Sequence, residues 1–227
     1  MRKTIFALAM AALLAVPSLA EAQFGLAARV GTLGLGAEAA LGVGERLVLR
    51  GGVGFMPIEW DVSDELDQGV DVEAKLKLPS SMYNIGGDLY LGSSFRIGGG
   101  VLFRTDDPEI IGTLEGSATI EIGDVIYTAT EVSEIRGFLV AGKQAPYALI
   151  GFGKHTSSGI GLFVDLGVAF MGDSEVNLTA TGDPTIVNDP AFQAELRQEE
   201  TNIEEDIGAY TKYWPILNIG LRFGVGN

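Results

Sequence analysis

Six segments of this chain alternate with a period of two, and in each of them glycine and other small or polar residues collect on the face opposite the large apolar side chains. Residues 95–104 place Phe95, Ile97, Gly99, Val101 and Phe103 on one face and Arg96, Gly98, Gly100, Leu102 and Arg104 on the other. Residues 160–171 set Ile160, Leu162, Val164, Leu166, Val168 and Phe170 against Gly161, Phe163, Asp165, Gly167, Ala169 and Met171. Residues 47–56 oppose Leu47, Leu49, Val53 and Phe55 to Val48, Arg50, Gly52 and Gly54. The pattern recurs in 33–41, with Glu38 on the small-residue face, in 83–91, with Asn84, Asp88 and Tyr90 opposite the apolar set, and in 215–225. Successive side chains of a strand point to opposite faces, so these segments are β-strands with one apolar side.

A soluble sandwich and a membrane barrel both alternate, and the contents of the second face separate them. A sandwich turns that face to water and fills it with Lys, Glu, Thr and Ser. Here it holds glycine and a few charges, which suits a narrow lumen where side chains share little space. Glu38, Asp88 and Asp165 stand against Arg50, Arg96, Arg104 and Arg222, a nearly balanced set able to pair inside. Tight Gly, Ser and Asp turns at 42–46, 92–94, 123–124 and 156–159 alternate with long polar stretches at 62–71, 105–112 and 172–212. Short turns on one rim and long loops on the other is the layout of an antiparallel transmembrane barrel. Counted along the whole chain, doubtful pieces included, the strands come to nine, whereas such barrels have an even number. The count resolves to eight, with ten as the alternative, and the ambiguous pieces are residues 24–32 and the hairpin 113–136.

Residues 1–22 read as an address. Arg2 and Lys3 precede the apolar run 5–16, and Pro17 leads to Ala20-Glu21-Ala22, an A-x-A cleavage site. The run is shorter than the roughly 20 residues a spanning helix needs. Residues 23–227 then form one barrel domain.

Composition narrows the chemistry. The chain has no cysteine and one histidine, His155, which removes disulfides, thiolate nucleophiles and multi-histidine metal sites. Neither a cofactor nor a metal is expected. A formal net charge of −15 argues against nucleic acid, whose phosphates are bound by Lys and Arg. Cleavage takes away Arg2, Lys3 and Glu21, and the acidity that remains is local. Residues 59–73 carry Glu59, Asp61, Asp64, Glu65, Asp67, Asp71 and Glu73 with no base, and residues 172–209 are acidic apart from Arg197. In the second of these, Asp189-Pro190 is a helix start, Phe192, Leu196, Ile203 and Ile207 recur at helical spacing, and Gly208 follows. This predicts an amphipathic helix over about 190–207, packed by its stripe against the barrel mouth. Its Glu195, Glu199, Glu200, Glu204, Glu205 and Asp206 lie mostly off the stripe.

The end of the chain, Asn218-x-Gly220-x-x-Phe223-x-Val225, resembles the C-terminal signal of bacterial outer-membrane barrels, although it closes on Gly226-Asn227 and not on an aromatic. More widely, Gly31-Thr32-Leu33-Gly34-Leu35-Gly36, Ala145-Pro146-Tyr147, Asp165-Leu166-Gly167-Val168 and the segment 199–213 leading into Trp214-Pro215 look like a family of uncharacterised proteobacterial outer-membrane barrels, small and OmpW- or OmpA-like. The resemblance implies residence in the outer membrane, contact with its lipid and lipopolysaccharide, insertion by the barrel-assembly machinery, and a monomer.

Three functions remain open. The leading one is a non-enzymatic barrel with a structural or binding role in its acidic loops. The second is a narrow conduit for small solutes. The third is hydrolysis of lipid A or phospholipid by His155 and Ser157, because a His-x-Ser of this kind occurs in the outer-membrane lipid A deacylase. Its orienting carboxylate is not supplied by neighbouring sequence, and the stretch 156–159 reads as a turn. The rim acids 59–73 show no spacing that singles out a protease pair.

Overall fold

A computed structural model of the chain describes residues 23–56, 58–63, 72–123 and 125–225. The leader 1–22, the acids Asp64, Glu65, Asp67 and Asp71, and Asp124 of the 123–124 turn lie outside the described residues.

Eight strands close into an antiparallel ring: β1 (Phe24–Gly31), β2 (Leu35–Val43), β3 (Leu47–Phe55), β6 (Ser81–Tyr90), β7 (Phe95–Arg104), β12 (Gln144–Phe152), β13 (Gly159–Phe170) and β15 (Tyr213–Val225). The ring order is β1-β15-β13-β12-β7-β6-β3-β2, closed between β1 and β2. Residues 24–31 are thus a wall strand and the hairpin region 113–136 stays out of the wall; the ring closes with eight strands, one of them β12, which is not among the six alternating segments read from the sequence. The expected strand start at Leu33 moves to Leu35, because Gly34 adopts a positive φ of 86° and turns the chain.

Following the chain around the ring puts the turns 44–46, 91–94 and 153–158 on one rim, together with Gln23 and the end of β15. The opposite rim carries the turn 32–34 and three long connections. Those connections are largely ordered. Within them, β4 (Glu59–Asp61), β5 (Val72–Lys77), β8 (Glu109–Leu114), β11 (Val132–Val140) and β14 (Glu175–Gly182) form a second sheet in the order β14-β11-β8-β5-β4. The barrel strands they continue, β13, β12, β7, β6 and β3, stand in the same order. Five wall strands therefore break at the rim and resume above it as a cap. Pro79 and Pro108, which cannot donate to a ladder, and Gly172 with φ 80° sit in the breaks.

The outer face changes chemistry across those breaks. Below them the outward side chains are apolar and exposed, among them Leu26, Ile85, Ile160, Leu162, Leu217 and Ile219. Aromatics mark both ends of the band, with Phe55, Tyr83, Phe170 and Tyr213 towards the cap and Phe24, Phe152 and Phe223 at the other rim. Tyr213 and Phe223 are ten residues apart on β15. At about 3.3 Å per residue and a tilt near 40°, that spans about 25 Å, the height of an outer-membrane apolar band. Even-numbered residues of β6 and β7 point inward, and even-numbered residues of β5 and β8 form the apolar face of the cap. The cap's other face carries Glu59, Lys77 and Glu109 in register on β4, β5 and β8.

On the cap's apolar side lie a hairpin of β9 (Thr119–Ile122) and β10 (Val125–Thr128), the single turn α1 (Pro184–Val187) and the long helix α2 (Pro190–Thr211). Asp189 caps α2 by accepting from the Ala191 amide at 2.7 Å, and Pro190 opens it. Two expectations about this helix are corrected. It passes through Gly208 to Thr211, since it runs directly into β15 and needs no left-handed stop; one helical glycine costs only about 1 kcal/mol. Its stripe also packs on the cap and not on the barrel mouth: Phe192 and Leu196 bury against Ile122, Tyr127 and Val132, while Ile207 is exposed. Glu200 and Glu204 accept from the Leu178 and Val176 amides of β14 at 2.7 and 2.6 Å, covering a strand edge that would otherwise expose its donors.

Candidate functional site

The lumen is the most polar buried region of the molecule and is filled in three layers. At its middle, β3 and β7 each send in an arginine, and β6 and β13 each an aspartate. Arg50 lies 3.3 Å from Asp88 and 2.8 Å from Asp165, while Arg96 donates to Asp88 at 2.7 Å and also to Asp165. The four charges form a closed alternating square across the bore. Glu38 of β2 extends it, 3.4 Å from Arg50 and 3.1 Å from Arg29 of β1, and Arg29 also donates to Asn84 at 2.7 Å. Three guanidiniums thus meet three carboxylates with side chains at most 2% exposed. Charges this deeply desolvated persist only when paired, which the alternating square provides.

Glycines make the square possible. Gly151 stands between Arg96 and Asp165 in the strand register, and a Cβ there would collide with the Arg96 guanidinium. Gly98 gives the same room to the Asp88 carboxylate, and Gly161 to Arg222. The glycine face legible in the sequence is therefore the negative image of the arginines.

Towards the cap, Leu33, Met56, Met82, Leu102, Ala145, Tyr147, Ala169, Met171 and Ile216 pack into an apolar layer. Arg104 belongs to this rim: it pairs with Asp107 at 2.6 Å and donates to the Ala141 carbonyl at 2.9 Å, outside the central network. At the other rim, residues 153–158 fold into the mouth. His155 and Thr156 are buried, the His155 ring lies tilted against Phe163 with centroids 4.5 Å apart, and Arg222 donates to the carbonyls of Ser157 and Gly159. The segment 156–159, expected as a tight turn, turns Thr156 inward beside His155 while Ser158 and Gly159 stay exposed.

Of the seven charges singled out on the inner face, Glu38, Arg50, Asp88, Arg96 and Asp165 meet, while Arg104 and Arg222 serve the two rims. Arg29 was not singled out, although Gly25, Ala27, Arg29 and Gly31 alternate with Phe24, Leu26, Ala28 and Val30 and carry the same signal. His155 left no such signal. Its carboxylate comes from across the barrel: Nε2 lies 3.0 Å from Glu38, though the ring N–H is not aligned for a hydrogen bond, and Nδ1 lies 3.3 Å from the Tyr90 hydroxyl. Among the described residues no hydrogen bond joins the Ser157 hydroxyl to this imidazole. Of the terminal motif, Asn218 and Gly220 face the lumen and Phe223 faces outward. The Asn218 side-chain oxygen accepts weakly from the Leu33 amide at 3.4 Å.

Outside the barrel, burial and the Glu195 carboxylate, 2.7 Å away, push the Tyr127 phenol up to about 12. Hydrogen bonds from Thr185 hold the exposed Asp183 carboxyl below its ordinary range. Among the described residues no group of three acid or histidine side chains converges as metal ligands do.

A closed antiparallel eight-strand ring, an apolar outer band edged by aromatics and an ion-paired lumen define a transmembrane β-barrel of the bacterial outer membrane. CarO2 of Acinetobacter baumannii has a similar structure, with a TM-score of 0.61 and 19% identity over 89% of this chain and 98% of its own. CarO of the same organism follows at 0.51 and 18%, over 88% and 96%. A major outer membrane protein from Thermus thermophilus aligns at 0.43 and 15%, over 90% and 99%. The two Acinetobacter structures establish a shared fold and nothing finer. No protein-family model matches the chain, and a comparison with curated proteins gives no match.

Proposed function

We propose that this chain is a small outer-membrane barrel of the OmpW- and OmpA-like kind that works without catalysis, as a structural or binding element, through the acidic segments on its long-loop rim. The observation that carries this reading is the contrast between a lumen filled from rim to rim and a separately folded cap. An eight-strand bore has room for side chains and little else. The protein acts as a monomer, contacts outer-membrane lipid and lipopolysaccharide, and is inserted by the barrel-assembly machinery through Asn218, Gly220, Phe223 and Val225.

With the acids concentrated on α2 and β4, the partner sought is a cation or a basic surface. Titration of the refolded protein with a lysine-rich peptide should give binding that weakens with salt, and the combined change Glu199→Gln, Glu205→Gln and Asp206→Asn should remove it. Equal binding by both proteins would sink the reading. In planar bilayers the same preparation should give no steps; salt-dependent steps would favour the conduit instead. Fatty-acid release from lipid A or phospholipid should be the same for the parent and His155→Ala.

A further inference from the structure

The short-turn mouth is closed by a segment that the wall does not hold as a strand. Pairing between β12 and β13 ends at Phe152 and Val164, and residues 159–163 of β13 pair only with β15. The intervening chain leaves the wall at Gly153 and rejoins it at Gly159, both with positive φ, 96° and 80°. Side chains secure it from several sides. Arg96 donates to the Gly153 carbonyl at 2.8 Å, the Tyr90 hydroxyl accepts from the His155 amide at 2.9 Å, and Glu38 faces the imidazole. The wall is recessed to receive it, since a Cβ on Gly25 would overlap the His155 carbonyl and one on Gly224 the Ser157 carbonyl.

We propose that residues 153–158 are a hinged plug for this mouth, hung between Gly153 and Gly159 and latched by His155 to Glu38 and Tyr90. Glycine at both ends supplies backbone freedom that side-chain-bearing residues lack, which is what a hinge requires. With the latch broken, water enters from this rim as far as the charged square and stops at the apolar layer above, giving a blind vestibule. The inference concerns the barrel alone and is independent of any role for the acidic cap.

The cysteine-free chain provides a clean reporter. Ala40 faces inward just above the plug, and Ala145 lies in the apolar layer; both are buried. Each is changed to cysteine singly, and labelling by a water-soluble maleimide is followed only in the fast-migrating folded band of unboiled gels. Ala40→Cys should be protected in the parent and react roughly tenfold faster or more after His155→Ala or Tyr90→Phe, the effect of losing a buried contact worth about 1.4 kcal/mol. Ala145→Cys should stay protected throughout. Free labelling of Ala40→Cys in the parent, no acceleration in either latch variant, or joint exposure of both reporters would each overturn the proposal.

Discussion

The barrel wall and the cap are built along the same five strand paths, yet their outer faces are opposites. Below the breaks Ile85, Ile150 and Leu162 face outward; above them Glu59, Lys77, Glu109 and Arg136 do. Both parts are antiparallel sheet, so the difference is assigned to the surrounding medium. In hydrocarbon the outer face has to be apolar and the charges go inward, where they must pair. In water the apolar face of β11 and β14 turns to the helix and hairpin, and the charges go out. The ion pairs differ accordingly: Arg96 with Asp88 is fully buried, whereas Arg136 with Glu134 lies 45% and 26% exposed.

The comparison can be broken most sharply inside the barrel. Asp165→Ala takes one carboxylate from both guanidiniums of the square, leaving Arg96 with Asp88 alone and three buried guanidiniums facing two carboxylates, and urea unfolding followed by the loss of heat-modifiable migration should show about 3–5 kcal/mol of destabilisation. An unchanged midpoint would mean the square is not paired as described. Next comes the outer face: Ile85→Arg, in mid-band, should cost about 2–4 kcal/mol by the same assay, while Thr179→Arg on the cap should stay within about 0.5 kcal/mol. Similar costs at both positions would remove the boundary.

Smaller effects belong to the cap. Glu200→Ala should speed exchange of the Leu178 amide roughly tenfold without altering amides in β7. Tyr127 tests the cap by pH. A phenol raised from 10 to about 12 in the folded state favours folding fully below pH 10. That contribution is lost as pH rises through about 12, so cap signals in near-ultraviolet dichroism should fade between those values while the gel shift persists. Smallest of all, Arg136→Ala should leave the unfolding midpoint unmoved, because exposed pairs contribute little.

The wall was legible because lipid demands a clean alternation over eight or more residues, as in 95–104 and 160–171. The cap was not. Val72-Glu-Ala-Lys-Leu-Lys77 alternates just as cleanly, but it is only six residues long and ends near Pro79, so it is not among the segments read as strands, and only the fold reveals that it prolongs β6. The interior was legible in its types and not in its partners. Inner-face charge predicts pairing, but whether Arg104 joins Asp165 or Asp107 depends on its height in the bore, which strand ends fix only to within a residue or two. His155 was illegible for a different reason: an inward-folded turn obeys no periodicity, and its carboxylate arrives from β2.

The central claim is that a lipid-facing wall becomes a water-facing cap at the strand breaks. Nitroxide labels placed singly at Leu217, Ile219 and Leu221 and at Lys77, Arg136 and Thr179, in protein refolded into bilayers, test it through relaxation by oxygen and by a water-soluble nickel complex. The first three should be relaxed by oxygen and shielded from nickel, and the second three should show the reverse; nickel access at Ile219, or oxygen-dominated relaxation at Arg136, would contradict the account.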